Sequence, residues 1–137
     1  MFKKNKKQSE KDTYLITSPD KKHGKIDFKE VYRHIRTNIE YSTVGKNVKA
    51  INVTSSIPSE SKSTTSLNLA MIYATKYANV LLNDADLRRP TQHHYLKLSN
   101  SRGLTNALIE YGETKKISSK YFQFIEDESF EGKSSVL

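Results

Sequence analysis

Between Ala50 and Leu69 the chain reads AINVTSSIPSESKSTTSLNL. The β-branched run from Ile51 to Thr54 predicts a strand, within a first strand over Val48 to Thr54. A polar, turn-rich segment, Ser55 to Ser61, comes next. Lys62-Ser63-Thr64 then opens an apolar helical pattern that predicts a helix to about Tyr77. Strand, loop, Lys-Ser, helix is the layout of a phosphate-binding loop. A helix start offers unpaired N–H groups and a positive dipole end to an anion. In that layout Lys62 reaches the β- and γ-phosphates and the Ser63 hydroxyl sits on Mg²⁺. The general pattern G-x-x-x-x-G-K-[ST] asks for glycine at 56 and 61, and both are serine here. The chain has 5 glycines, none of them between Gly45 and Gly103.

At 137 residues the chain is at most one small domain. Its mean hydropathy of −0.71 is polar for a packed domain, which predicts that part of it is tail. No cysteine is present, so disulfides and thiolate metal sites are excluded and a reducing compartment fits. No apolar run has the length to span a bilayer. The start, MFKKNKK, has no apolar core and is not read as a secretory signal. Of the net charge of +8, residues 1–25 carry +5. This segment reads as a basic, flexible N-terminal tail, with attraction to an anionic membrane face or nucleic acid as the functional alternative. Tyr14 to Thr17 is a short extended candidate within it.

Asp27, with Glu30 three residues on, reads as a capping box. Phe28, Val31, Ile35 and Ile39 follow helical spacing, which predicts an amphipathic helix over about 28–41. Glu30, Arg33 and Arg36 share its polar side, and on spacing alone they read as intrahelical ion pairs. Val80-Leu81-Leu82 predicts a second strand, followed by Asn83 and then Asp84-Ala85-Asp86-Leu87-Arg88-Arg89-Pro90. A strand–helix–strand unit makes the two strands parallel, with their carboxyl ends at one edge. Asp84 and Asp86, two apart on extended chain, then point the same way and suit hydrated Mg²⁺ or a proton from a nucleophile. His93-His94 reads as surface rather than metal-ligating. Gly103 to Ile109 predicts a short helix, Phe122 to Ile125 a brief strand or loop, and Ser135 to Leu137 the opening of a strand. Glu126-Asp127-Glu128 is an acidic cluster.

Three motifs in this order resemble one family. Glu30-x2-Arg33-x2-Arg36, within EVYRHIRTNI, resembles a helix of the bacterial tyrosine kinases of capsule and exopolysaccharide synthesis. Val53 to Ser56, Pro58, Lys62-Ser63-Thr64 and Asn68-Leu69-Ala70 resemble the Walker A region of that family. Leu81-Leu82-x-Asp84-Ala85-Asp86-Leu87-Arg88-Arg89-Pro90-Thr91 resembles the Walker A′ motif, and Ser99-Asn100-x-x-Gly103-Leu104-Thr105-Asn106 continues in register. The match runs from about residue 26 to 110.

The resemblance implies an α/β fold, a P-loop NTPase-like parallel sheet with flanking helices, related to the partition-type ATPases. It implies ATP and Mg²⁺ as ligands and protein tyrosine as the acceptor. It implies ring-shaped homo-oligomers, a membrane-embedded activator and a cytoplasmic place at the inner face of the membrane, with no specific nucleic acid. Lys62, Asp84 and Asp86 would be catalytic. Ser59, Glu60, Ser61, Lys62, Ser63 and Thr64 would bind nucleotide. Ser63, Asp84 and Asp86 would hold Mg²⁺, partly through water, and Glu30, Arg33 and Arg36 would contact the next subunit.

The family carries glycines where Ser59 and Ser61 stand. If either position needs φ > 0, serine costs roughly 1–3 kcal/mol, about one to two decades in nucleotide affinity. Residues 26–137 are read as a partial kinase domain, ending after the first two or three strands, with Walker B and the C-terminal tyrosine cluster absent. Phosphoryl transfer is therefore expected to be impaired or lost in this fragment. Two alternatives stay open: a non-catalytic relative acting through oligomer or partner contacts, and a partition-type P-loop ATPase.

Overall fold

The computed structural model describes residues 27–126 and 133–136. The basic tail, its Tyr14–Thr17 candidate and the acidic residues Asp127 and Glu128 lie outside the described residues. The chain divides into two compact units, Met1–Ile72 and Tyr73–Leu137, each described here by itself. Among the described residues no helix is long and apolar enough to cross a membrane.

In the first unit, helix α1 (Phe28–Ser42) starts where its cap residue predicts. The Asp27 carboxylate accepts the N–H groups of Lys29 at 3.0 Å and Glu30 at 3.4 Å. These are two of the donors that a helix start leaves unpaired. The Glu30 side chain bonds Arg33 instead of completing a reciprocal box. Arg36 binds α1 to the next helix, α2 (Lys62–Ala74): its Nη1 donates to the Ile72 carbonyl at 2.9 Å. That carbonyl belongs to the last turns of α2, the negative end of the helix dipole, where a guanidinium is favoured.

Helix α2 starts at Lys62, as the pattern predicts, and ends at Ala74, three residues short of Tyr77. Leu67, Asn68, Leu69, Ile72 and Ala74 are buried, in keeping with a sequence apolar nearly all round. Asn68, only 2% exposed, donates its Nδ2 to the Thr64 carbonyl one turn back at 2.9 Å, while its Oδ1 is buried with no hydrogen-bond partner among the described residues.

The strand expected at Val48–Thr54 is not formed. Those residues belong to no strand, and Val48 and Ile51 are 47% and 45% exposed. β-branched side chains favour extended dihedrals, but a strand exists only with a hydrogen-bonded neighbour. Among the described residues none is supplied.

In the second unit the end of α2 closes with Lys76 and Tyr77 N–H groups on the Tyr73 carbonyl, both at 2.9 Å. Strand β1 (Val80–Leu82) follows, then helix α3 (Gln92–Leu96), helix α4 (Leu104–Thr114), a 3₁₀ turn (Ser119–Tyr121), and strands β2 (Gln123–Glu126) and β3 (Lys133–Val136). Helix α4 runs past Ile109, where sequence spacing stops, because Tyr111-Gly112 does not break it. Lys97 and Lys115, at the ends of α3 and α4, take left-handed φ of 54° and 58° in place of the commoner glycine.

The sheet order is β1-β3-β2. β1 and β3 are parallel, with Val80 opposite Ser134; β2 and β3 are antiparallel, with Gln123 opposite Val136. The described sheet is thus mixed, where an all-parallel one was expected. The stretch 122–125, open between strand and loop from sequence, overlaps β2, the strand foreseen near 135 is β3, and β3 takes the central place. The Gln123 side chain clamps the chain after α3: its Nε2 donates to the Ser99 carbonyl at 2.8 Å and its Oε1 accepts the Ser99 N–H at 3.2 Å.

Candidate functional site

The loop from Ser55 to Ser61 delivers the chain into α2. Of the three serines that stand where the general or the family pattern has glycine, Ser59 and Ser61 have φ of 64° and 60°, and Ser56 has no positive φ. The left-handed region crowds Cβ against the following carbonyl and costs an L-residue roughly 1–2 kcal/mol. The conditional stated from sequence is therefore met at both positions. The reversal they impose turns the chain sharply before Lys62. The first backbone bond of α2 comes from the Thr65 N–H to the Ser61 carbonyl at 2.9 Å, so the N–H groups of the opening turn are not spent on the helix ladder.

Lys62 bends back over this loop. Its Nζ donates to Ser55 Oγ at 2.9 Å, and Ser55 Oγ in turn donates to the Ile57 carbonyl at 2.9 Å. Among the described residues no carboxylate pairs with this ammonium. Glu60 lies exposed in the same loop, Ser63 and Thr64 begin the helix half-buried, and Ser66 Oγ caps the Lys62 carbonyl at 2.8 Å. A lysine with no carboxylate partner among the described residues, at the start of a helix, is an anion-accepting arrangement. Sequence reading placed Ser55 in the stretch Val53 to Ser56 that resembles Walker A but gave it no role of its own. Its place at the end of the β-branched run, seven residues before the lysine, is the signal that could have found it.

The second set belongs to the other unit. The chain does not stay extended through Asp84 and Asp86, and the two carboxylates do not act alike. Asp84 Oδ1 accepts the Asp86 N–H at 3.2 Å, while its Oδ2 accepts the N–H groups of Thr91 at 2.8 Å and Gln92 at 3.1 Å. One carboxylate thus closes the turn Asp84–Pro90 and caps α3, whose N-cap Thr91 makes no side-chain cap of its own. Asp86 is exposed and accepts one N–H, from Arg89 at 3.0 Å, through Oδ1. Its Oδ2 has no partner among the described residues. Of the pair, Asp86 has the oxygen to spare for a hydrated cation. Arg88 and Arg89 are exposed.

Beside this turn lies an open cavity of about 240 Å³, walled by Asp84, Gln92 and His93 on one side and by Arg102, Gly103 and Thr105 at the start of α4 on the other. Gly103 N–H donates to Asn106 Oδ1 at 3.1 Å and fixes that start. No group of three or more His, Cys, Asp or Glu residues that could hold a metal occurs among the described residues.

On α1, Glu30 and Arg33 form the intrahelical pair that spacing suggests, at 3.0 Å, with His34 Nε2 3.4 Å from Glu30. Arg36 is different. Its side chain is 16% exposed, against 47% for Arg33, and its Nε lies 3.8 Å from Glu40 in addition to the Ile72 bond. The outward-facing members of the expected contact set are therefore Glu30 and Arg33, while Arg36 is engaged inside its own unit.

Comparison with known proteins gives relatives of one kind, among them these three. The tyrosine-protein kinase YwqD of Bacillus subtilis is 49% identical over 81 residues, 59% of this chain and 34% of the relative. The tyrosine-protein kinase CpsD of Streptococcus agalactiae is 41% identical over 80 residues, 58% of this chain and 34% of the relative. The tyrosine-protein kinase Etk of Escherichia coli K12 is 31% identical over 88 residues, 64% of this chain and 12% of the relative. Among solved structures, the chimerical protein CapA2B2 superposes with a TM-score of 0.58 at 28% identity, covering 89% of this chain and 49% of that one. No family model matches. The chain spans about a third of the length of YwqD and CpsD.

Proposed function

We propose that this chain, whose homologues are bacterial tyrosine-protein kinases, carries the triphosphate-binding part of such a kinase: an ATP-dependent protein-tyrosine kinase acting in capsule or exopolysaccharide synthesis. The observation that carries the reading is the Ser55–Ser61 loop. It brings a lysine whose partner, among the described residues, is a neutral hydroxyl to the start of a helix, a donor set that suits the polyphosphate of ATP.

ATP would supply the γ-phosphoryl group for transfer to a tyrosine hydroxyl. Within this chain, Lys62 neutralises charge on the β- and γ-phosphates, and the backbone of Ser59 to Thr64 cradles them. Of the two Walker A′ carboxylates, Asp86 is the one that would serve Mg²⁺, through water. Asp84 keeps the Walker A′ turn folded. Its spent oxygens argue for a positioning role before a metal-binding one. Glu30 and Arg33 are offered as the contact to a neighbouring subunit of a ring, and a membrane-embedded activator would bring the protein to the inner face of the membrane. The strained serines favour weak nucleotide binding and impaired transfer.

Calorimetric titration with Mg-ATP, followed by a phosphotyrosine immunoblot, tests this. Weak saturable binding that disappears in Lys62→Met supports the reading. ATP hydrolysis stimulated by DNA with no phosphotyrosine would favour the partition-type alternative. Absence of ATP binding by the parent, restored in part in Ser59→Gly/Ser61→Gly, would favour a non-catalytic interaction protein.

A further inference from the structure

We infer that Ser55 is the positioning residue of Lys62, setting the ammonium over the loop before a polyphosphate arrives. The inference rests on the phosphate-binding reading above. Ser55 Oγ donates its single proton to the Ile57 carbonyl at 2.9 Å, which fixes the hydroxyl rotor and aims its lone pairs away from that carbonyl. Lys62 Nζ sits on those lone pairs at 2.9 Å. A lysine ammonium has three donors. One is held by Ser55, and no acceptor among the described residues takes the other two, which remain for phosphate oxygens.

The consequence is preorganisation. A free lysine side chain loses much rotamer freedom when it is fixed on a ligand. Here the seven-residue loop fixes it in advance, through a neutral partner that does not compete as a carboxylate would. The serine is small enough to sit under the stem of Lys62, and its hydroxyl is the only group it brings. The effect must therefore be specific to ligands that reach Lys62. Triphosphates gain from it; a nucleoside or monophosphate that stops short of the lysine does not.

The test uses the full chain with Ser55→Ala and the isosteric pair Ser55→Thr and Ser55→Val, which differ only in the hydroxyl. Two readouts are taken. The first is the rate of acetic anhydride acylation at Lys62, followed by mass spectrometry without nucleotide. The second is the affinity for inorganic tripolyphosphate and for AMP. Ser55→Ala and Ser55→Val are expected to acylate faster and to bind tripolyphosphate about tenfold more weakly, with AMP binding unchanged and Ser55→Thr behaving like the parent. Equal acylation rates in Ser55→Thr and Ser55→Val overturn the inference. So does faster acylation with unchanged tripolyphosphate affinity, or a parallel loss of AMP and tripolyphosphate binding. If the parent chain binds no tripolyphosphate, the functional reading fails, and the acylation rates alone decide whether Ser55 holds Lys62.

Discussion

The loop at Ser55–Ser61 and the turn at Asp84–Pro90 are both short polar segments that enter a helix, and they treat their polar groups in opposite ways. The turn consumes its own charge. One carboxylate, Asp84, takes three backbone N–H groups and a second, Asp86, takes one. The loop leaves its charge unspent and accepts two serines in left-handed geometry to do so. A segment that satisfies itself gains stability; one that holds donors open and backbone strained gives up stability for something it can bind. The contrast gives Asp84 a structural place in its turn and leaves Lys62 with no carboxylate partner among the described residues, although the two look equally functional as motifs.

Relieving the strain on the loop side should give the largest effect. Ser59→Gly with Ser61→Gly removes roughly 2–4 kcal/mol in all, about 1–2 at each position, seen in calorimetry as about thirtyfold to thousandfold tighter ATP binding, as a higher melting temperature, or as a share of each. If neither quantity moves, the left-handed serines carry no cost and the comparison fails on that side.

On the turn side, Asp84→Ala strands three N–H groups and is expected to lower unfolding stability by about 2–3 kcal/mol, against about 1 kcal/mol or less for Asp86→Ala. Chemical denaturation of both variants checks this. A larger loss for Asp86→Ala would reverse the roles given to the pair. The reading also predicts that phosphotyrosine formation, where detectable, suffers more from Asp86→Asn than its stability does.

A smaller effect sharpens the comparison from outside both segments. Glu110 is held below its ordinary carboxylate value of 4.5, first by the hydrogen bond from Lys120 and then by that from Tyr121. Lys120 is held above its ordinary value of 10.5, first by the same contact with Glu110. The sign follows from linkage: a carboxylate whose pKa is depressed on folding contributes stability above its unfolded value and loses it as pH falls through the folded one. The lysine contribution is complete below 10.5 and is lost as pH rises beyond it. Thermal melts should fall slightly below pH 4.5, and Glu110→Gln should flatten that part of the profile. Because these side chains are partly exposed, added salt should shrink the effect.

What was legible in the sequence was local. Asp27 announces the start of α1, Lys62 the start of α2, and the general phosphate-loop pattern marks Ser61, the family resemblance Ser59, as places where a side chain is out of keeping. Each of these depends on dihedral preference or capping within a few residues. The pairings were not legible. Arg36 finds the Ile72 carbonyl 36 residues away, and β1 finds β3 more than fifty positions on. Periodicity says that Val48–Thr54 prefers extended backbone but cannot say what lies beside it. The two-apart spacing of Asp84 and Asp86 likewise assumes a straight chain, and Asp84 itself bends that chain by accepting the Asp86 N–H.

The account turns on Lys62 as an open cation. Titrating inorganic tripolyphosphate into the parent chain and into Lys62→Met, with circular dichroism to show that both are folded, tests it most directly. Saturable binding by the parent and none by Lys62→Met is the predicted result. Equal affinity in the two folded proteins would contradict it.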